Sequence, residues 1–270
     1  MVVRVVLAGA TGWVGKALVA AIGAAPDMEL VGAVSRRAAG RDIGVANGGD
    51  PLGLICTAML EEALSVPSDV VVDYTKPDAV KRHALAAVGA GRAVVVGTSG
   101  LTAEDYAEID AAARAGGVGV IAAGNFSITA ALMQRFALMA AAYVADVEVV
   151  DYASAGKPDV PSGTARELAE RLSAARKPAT SKPVADLFGP KELRGGAIGS
   201  GEGGPVQVHS LRLPSYILSC EAVFGAPDER LTIRHDAGSS AAPYVAGTLL
   251  AVRRVREQAG LRRGLDTLLE

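Results

Sequence analysis

The chain has 270 residues, enough for one large domain or two modest ones with ample core. Half of it is hydrophobic and only 4% aromatic, so the core must be built from Ala, Val and Leu, as in a compact α/β protein. A net charge of −2 leaves no basic field for nucleic acid or an acidic membrane surface, and Cys56 and Cys220 are too few and too far apart for a disulfide framework or a zinc site.

Residues 3 to 25 (VRVVLAGATGWVGKALVAAIGAA) read as an apolar strand, a glycine turn and an amphipathic helix. Gly9, Gly12 and Gly15 keep a G-x-x-G-x-x-G spacing, with Thr11, Trp13 and Val14 between them. Such a turn needs glycine where φ is positive, where the backbone meets a pyrophosphate and where the helix packs close on its strand. The helix N-terminus then faces the phosphates. In this strand–turn–helix context the spacing points to dinucleotide binding. Because Met1 leads directly into the strand, no cleavable signal is expected, and no apolar run approaches transmembrane length. Two reduced cysteines fit the cytosol, so a cytoplasmic protein with no membrane or metal partner is expected.

The second strand, MELVGAVSRR, ends in Ser35-Arg36-Arg37, where NAD enzymes usually carry an acid for the ribose 2′-hydroxyl. Two guanidiniums and a hydroxyl suit a 2′-phosphate, which favours NADPH and leaves NADH open; a pair of solvated arginines is the plain alternative. Residues 38 to 54, rich in Gly, Ala and Asp, read as a surface connection. Three more apolar strands follow. SDVVVDYTKPDAVKRHALAAVGAG turns at Thr75 to Pro77, and GRAVVVGTSG turns at Gly97-Thr98-Ser99-Gly100 before a helix capped by Thr102. VGVIAAGNFS ends in a polar turn at Asn125. Apolar strands alternating with helices predict a doubly wound parallel sheet of Rossmann type. Ligands bind at the carboxyl ends of such strands, where Gly9 to Gly15, Arg36, Asp73 to Thr75, Gly97 to Ser99 and Asn125–Phe126 all fall. Each of these alone reads equally well as a simple turn.

Past the helix ITAALMQRFALMAAAYV the character changes. Val147 to Tyr152 is a short strand of buried type, Lys157 and Asp159 follow, and Ser162-Gly163-Thr164 lead into the amphipathic helix ARELAERLSAARK. A Ser-Gly-Thr turn at a helix N-terminus offers backbone N–H groups, two hydroxyls and the positive end of the helix dipole. With Lys157 just upstream it can receive a small carboxylate or phosphate; an ordinary helix cap beside a surface lysine is the alternative. Residues 175 to 205 are rich in Lys, Pro and Gly, after which VQVHSLRL, YILSCEAVFG and ERLTIRHD read as an antiparallel run. A first domain of residues 1–124, completed by 239–270 with a helix from about Pro243 to Gln258, and a second, α+β domain of residues 125–238 are expected.

Together these segments resemble the dihydrodipicolinate reductase (4-hydroxy-tetrahydrodipicolinate reductase) family, NAD(P)H-dependent enzymes of lysine and diaminopimelate biosynthesis. GATGWVG is similar to the family's GAxGxMG turn, DYTKP to D-F-(S/T)-x-P, VVGTSGLT to VxGTTGF and GNFSITAALM to xNFSxGxxLM. KPDVPSGTA, the most specific piece, resembles K-x-D-x-P-S-G-T-A, and VHSLR and LTIRHD resemble the late strands. The match runs in order along nearly the whole chain. It implies reduction of a cyclic, imine-like dicarboxylate, with Lys157 as the positively charged residue and proton donor. It further implies a substrate site of Ser154, Asp159, Ser162, Gly163 and Thr164, with the Ser-Gly-Thr turn holding a carboxylate. The cofactor would be surrounded by Gly9, Thr11, Gly12, Trp13, Val14, Gly15, Arg36, Arg37, Asp73, Thr75, Gly97, Thr98, Ser99, Asn125 and Phe126. A second domain that binds substrate and joins subunits into a homotetramer is also implied.

The departures are specific. The family's H-H-x-x-K places two histidines where this chain has Ala153 and Ser154, and neither Ala nor Ser can deliver a proton as imidazole does near neutral pH. An arginine usual in the family is missing from the Gly238–Pro243 turn, and Ser219 lies where the family often has a histidine nearby. The family's acid near Arg36 is absent too, which adds weight to NADPH. The family reaction, a divergent reductase of another cyclic imine or unsaturated carboxylate whose pocket Tyr152 partly fills, and a non-catalytic NADPH sensor are the readings that compete. The short-chain dehydrogenase class is set aside, because Tyr152 and Lys157 do not have its Tyr-x-x-x-Lys spacing.

Overall fold

The computed structural model describes residues 2–157, 159–180 and 196–269. The chain divides into two compact units, Met1–Ile128 with Ala241–Glu270, and Thr129–Ser240.

The first unit is built on a six-stranded parallel sheet. Its inner strands β1 (Val3–Ala8), β3 (Val70–Asp73), β4 (Ala93–Val96) and β5 (Gly119–Ala122) are short and dominated by Val and Ala. Nearly every side chain in them is buried, which is the reason they show no polar alternation. β2 (Met28–Val34) lies outside β1, and β3 lies on its other side. The strand order therefore reverses at β1, and the carboxyl ends of β1 and β3 form the switch point where ligands of such sheets bind.

α1 (Trp13–Ala24) turns Gly15, Leu18, Val19 and Ile22 inward at helical spacing. α2 (Ile43–Ala46) and α3 (Leu60–Ala63) are single turns, and α4 (Pro77–Gly89) opens on proline, whose missing N–H costs nothing there. α5 (Ala103–Ala115) is capped as expected: Oγ1 of Thr102 accepts from the Asp105 N–H, and the Asp105 carboxylate accepts from the Thr102 N–H at 2.9 Å. Residues 38 to 54 are more than a surface connection. The Asp42 carboxylate accepts backbone N–H bonds from Gly44, Val45, Leu52 and Leu54 at 2.8 to 3.2 Å, and Ile43 is fully buried.

In the second unit α6 (Ile128–Ala141) and α7 (Gly163–Ala175) pack on a five-stranded sheet of order β10-β9-β6-β8-β7. These strands are β6 (Asp146–Ala153), β7 (Gly196–Ile198), β8 (Val206–Arg212), β9 (Leu218–Ala226) and β10 (Glu229–Ala237). The expected antiparallel run is corrected here. β8 pairs parallel to β6, and β9 lies antiparallel on the other side of β6. Of the three expected strands β9 and β10 pair as a hairpin, while β7 lies antiparallel on the outer edge of β8. The alternating pattern of β6, with Val147, Val149, Asp151 and Ala153 buried, suits the centre of the sheet, so β8 and β9 flank it and do not meet. β7 falls within the Lys-, Pro- and Gly-rich stretch, of which 181–195 lie outside the described residues.

The chain then returns to the first unit as α8 (Ala242–Arg254), which lies against α1. It stops short of the expected Gln258, because a 3₁₀ turn at Val255–Glu257 delivers β11 (Gly260–Arg263) beside β5 as the sixth strand.

Candidate active site

The first unit presents its glycine turn at the end of β1. Gly9 has φ 83°, and a Cβ on it would lie 2.3 Å from the Tyr74 carbonyl oxygen; one on Gly15 would lie 2.1 Å from the carbonyl oxygen of Gly9. Only glycine lets the turn close this tightly against the loop after β3. Gly12 is the N-cap of α1 and brings no side-chain cap, so the first-turn N–H groups of Trp13, Val14 and Gly15 are presented as a phosphate receives them. Thr11 Oγ1 and Ser35 Oγ, 2.6 Å apart, tie the turn to the end of β2, beyond which Arg36 and Arg37 are exposed. From α2's end, Asn47 Nδ2 donates to the Ala10 carbonyl at 3.3 Å. Trp13 is 56% exposed and meets the Tyr244 ring edge-on at 5.5 Å.

Asp73 sits beneath this surface. Its fully buried carboxylate accepts from Thr75 N at 2.9 Å, Thr75 Oγ1 at 2.7 Å and Thr98 Oγ1 at 2.9 Å, while its other oxygen meets His83 Nδ1 at 2.7 Å. Asp73 therefore supports the turns that carry Thr75 and Thr98 from a fully buried position. Phe126 is likewise in the core, its ring edge-on to Tyr74 at 6.1 Å. Asn125 Oδ1 accepts from Ser127 N at 2.8 Å, which shapes the turn after β5. A Cβ on Gly97 would strike the Tyr74 ring at 2.3 Å, and Ser99 is half-buried beyond Thr98. The uncapped helix start, the glycine-only turn and the exposed arginines fit a dinucleotide.

The second unit carries the other group of residues. β6 ends at Ala153, and the chain turns through Ser154, whose carbonyl accepts from the Lys157 N–H at 3.0 Å and whose N–H donates to the Ile217 carbonyl at 3.3 Å. Lys157 Nζ lies 2.7 Å from Asp159 Oδ1, both side chains about one-third exposed. α7 begins at the Ser162 cap, with Gly163 half-buried and Thr164 buried in its first turn. The Ser162 hydroxyl is already in use: it donates to Asp151 Oδ1 at 2.7 Å and accepts from Ala165 N at 3.3 Å. Its N–H donates to Asp151 Oδ2 at 2.9 Å. With its N–H and its hydroxyl both engaged, Ser162 anchors the turn to β6.

Asp151 and Arg212, 2.8 Å apart, were not among the expected site residues. The available signal was Asp151's place in the inward series of β6, where a carboxylate must find partners. Tyr152 faces away from Ala153. It alternates to the opposite face of β6, where its ring meets Tyr216 at 4.9 Å and the Arg234 guanidinium at 4.8 Å. The three histidines are placed on α4, β8 and β10: His83 under Asp73, His209 paired with Glu148 at 2.8 Å, and His235 buried, which holds its pKa below the ordinary value. Among the described residues no group of three or more His, Cys, Asp or Glu is placed to hold a metal ion.

A glycine turn at the switch point of a parallel sheet, with a lysine and a helix start on a separate α+β unit, defines a dinucleotide-dependent oxidoreductase of the α/β class. The chain belongs to the dihydrodipicolinate reductase family: the family's N-terminal model matches residues 3–126 and its C-terminal model residues 129–269. It is 39% identical to the 4-hydroxy-tetrahydrodipicolinate reductase of Desulfitobacterium hafniense over 270 residues, covering 99% of both chains. Identity to the enzyme of that name from Synechococcus elongatus is also 39%, over 99% of this chain and 98% of the relative. The solved dipicolinate-bound dihydrodipicolinate reductase from Paenisporosarcina sp. TG-14 superposes with a TM-score of 0.74 at 30% identity, with 100% of each chain covered.

Proposed function

We propose that the protein reduces 4-hydroxy-tetrahydrodipicolinate to tetrahydrodipicolinate, a step of lysine and diaminopimelate biosynthesis, with NADPH preferred over NADH. The observation that carries the reading is the Lys157–Asp159 pair placed by one loop beside the Ser162-capped start of α7, in a chain similar to named reductases along its full length.

The turn from Gly9 to Gly15 would hold the pyrophosphate through the uncapped N–H groups of α1, and Arg36 and Arg37 would meet the 2′-phosphate. Thr75, Gly97, Thr98 and Ser99 would line the nicotinamide side, braced from below by Asp73. A bound dihydronicotinamide supplies the hydride. The start of α7, at Gly163 and Thr164, binds and orients a ring carboxylate, and Lys157 holds a proton at Nζ for the ring, with Asp159 keeping that ammonium in place. Ala153 and Ser154 provide no second acid, so the proton falls to Lys157 or to a water that Ser154 and Lys157 hold.

Ala153 and Ser154 are also the observation that favours a second reading, a divergent reductase of another cyclic imine or unsaturated carboxylate. NADPH oxidation with freshly generated 4-hydroxy-tetrahydrodipicolinate, against an NADH control, separates the two. Turnover at about 1–10³ s⁻¹ is expected. Tight NADPH binding without turnover would assign the scaffold to a different ring substrate. A cytoplasmic homotetramer goes with the first reading. The open face of the second sheet and the loops at its ends, where Leu213, Ile217 and Leu231 are exposed, would supply the contact, and the mass in solution tests it.

A further inference from the structure

We propose that the buried Asp151–Arg212 pair is the positioning unit of the reductase site, fixing the spacing between Lys157 and the start of α7. The inference rests on the reductase reading and adds two residues to it that act through Ser162 and Asp159.

Asp151 occupies an inward position on β6, in line with Val147 and Val149, and is fully buried. Its carboxylate accepts from Ser162 N at 2.9 Å, Ser162 Oγ at 2.7 Å, Ser210 Oγ at 3.3 Å and Arg212 Nη2 at 2.8 Å. The same Nη2 donates to the Asp159 carbonyl at 2.6 Å, and Nη1 donates to the Leu211 carbonyl at 2.9 Å. One pair therefore grips the loop at two points. At its close it holds Ser162 by main chain and side chain, which sets where α7 begins. Three residues earlier it holds the backbone of Asp159, whose carboxylate lies 2.7 Å from Lys157 Nζ.

Stability alone does not account for this arrangement. Asp151 has given up water entirely and Arg212 most of it, and Nε of Arg212 is buried without a hydrogen-bond partner. Apolar residues of similar volume commonly serve a core as well or better than such a pair. What they cannot do is accept from Ser162 N and Oγ and donate to the Asp159 carbonyl. A bonded network of this kind fixes one geometry, and a displacement of about 1 Å between an acid and its substrate can cost on the order of 10²-fold in rate.

The test compares wild type with the double variant Asp151→Asn/Arg212→Met and with Arg212→Lys. Single removal of either charge strands the other in the core, whereas the double variant strands neither. Arg212→Lys keeps the charge beside Asp151 with too short a reach to hold the Asp159 carbonyl as well. Four quantities are read: thermal unfolding, NADPH affinity from the fluorescence of the single tryptophan Trp13, binding of dipicolinate with NADPH present, and kcat and KM for the ring substrate. For both variants we expect a cooperative fold and NADPH affinity within about twofold of wild type. We expect dipicolinate bound at least ~10-fold more weakly and kcat lower by on the order of 10²-fold. Either variant folding and then binding dipicolinate and turning over as wild type does would overturn the positioning role. Failure of wild type itself to bind dipicolinate would overturn the reductase reading, and the inference with it.

Discussion

The Tyr74 hydroxyl donates to Oγ1 of Thr248 at 2.7 Å, and Thr248 in turn donates to the Tyr244 carbonyl at 2.7 Å. The loop after β3 is thereby fastened to the first turns of α8, and the Tyr74 ring lies where a side chain on Gly97 would have to go. Burial pushes the Tyr74 phenol well above its ordinary pKa, so it remains a donor at every pH the protein meets. Tyr74→Phe keeps the ring and leaves the fully buried Thr248 oxygen one donor short. We expect a loss of about 1 kcal/mol, or ~2–4 °C in Tm for a chain of this size, with kcat unchanged. Gly97→Ala must displace the ring and should cost about 1–3 kcal/mol. A Tyr74→Phe protein as stable as its parent would show that the bond contributes nothing.

Lys157→Ala removes the ammonium that lies 2.7 Å from Asp159 Oδ1. Turnover should fall by about 10²–10⁴-fold, the usual worth of a general acid, with NADPH affinity retained. The measurement pairs steady-state kinetics with Trp13 fluorescence, because that side chain stands on the nucleotide turn itself. Unchanged turnover would take Lys157 out of the mechanism.

The legible parts of this chain were those whose cause is local. β3, β4 and β5 show as apolar runs because both their faces are covered, and the glycine turn shows because no other residue fits it. β11 was missed because GLRR is short and half polar, and is recruited only by its neighbour β5. The parallel pairing of β6 with β8 was missed because adjacency in sequence favoured a β8–β9 hairpin, whereas the buried centre belongs to β6. His83, Asp151 and Arg212 were missed as support for the site for one physical reason. A lone charged or polar residue in a strand or helix reads as solvated, and only the tertiary fold encloses it with Asp73 or with Ser162.

Arg36 and Arg37 lie exposed just past Ser35, whose hydroxyl is already tied to Thr11. Ser35 thus ties the end of β2 to the glycine turn, and on the proposed reading the 2′-phosphate meets the two guanidiniums beyond it. A charge-assisted hydrogen bond is worth about 1.5–3 kcal/mol, so Arg36→Asp should shift the NADPH to NADH ratio of kcat/KM by at least ~10-fold toward NADH. An acid there can also accept from a ribose 2′-hydroxyl, which adds to the swing. Equal use of the two nucleotides before and after the change would dismiss the 2′-phosphate reading.

Asp42 gives the nucleotide side a measurable pH dependence. Its carboxylate is held below its ordinary pKa, first by the Leu52 N–H and then, against some desolvation, by those of Val45 and Gly44. A folded value below the unfolded one, about 3.9, means stability that is fully present above that pH and lost as pH falls through the folded value. Asp42→Asn keeps the shape but turns an amide toward some of the same N–H groups. The parent should therefore be the more stable protein at neutral pH, and the gap should close below about pH 4 as its own carboxyl protonates. Because Asn47 reaches the Ala10 carbonyl from the same loop, NADPH affinity of the variant should fall alongside. Thermal unfolding of both proteins from about pH 7 down to about pH 3 makes the comparison. A gap that persists unchanged to the acid end would mean that the loop is held by packing around Ile43, and that the Asp42 charge is incidental to it.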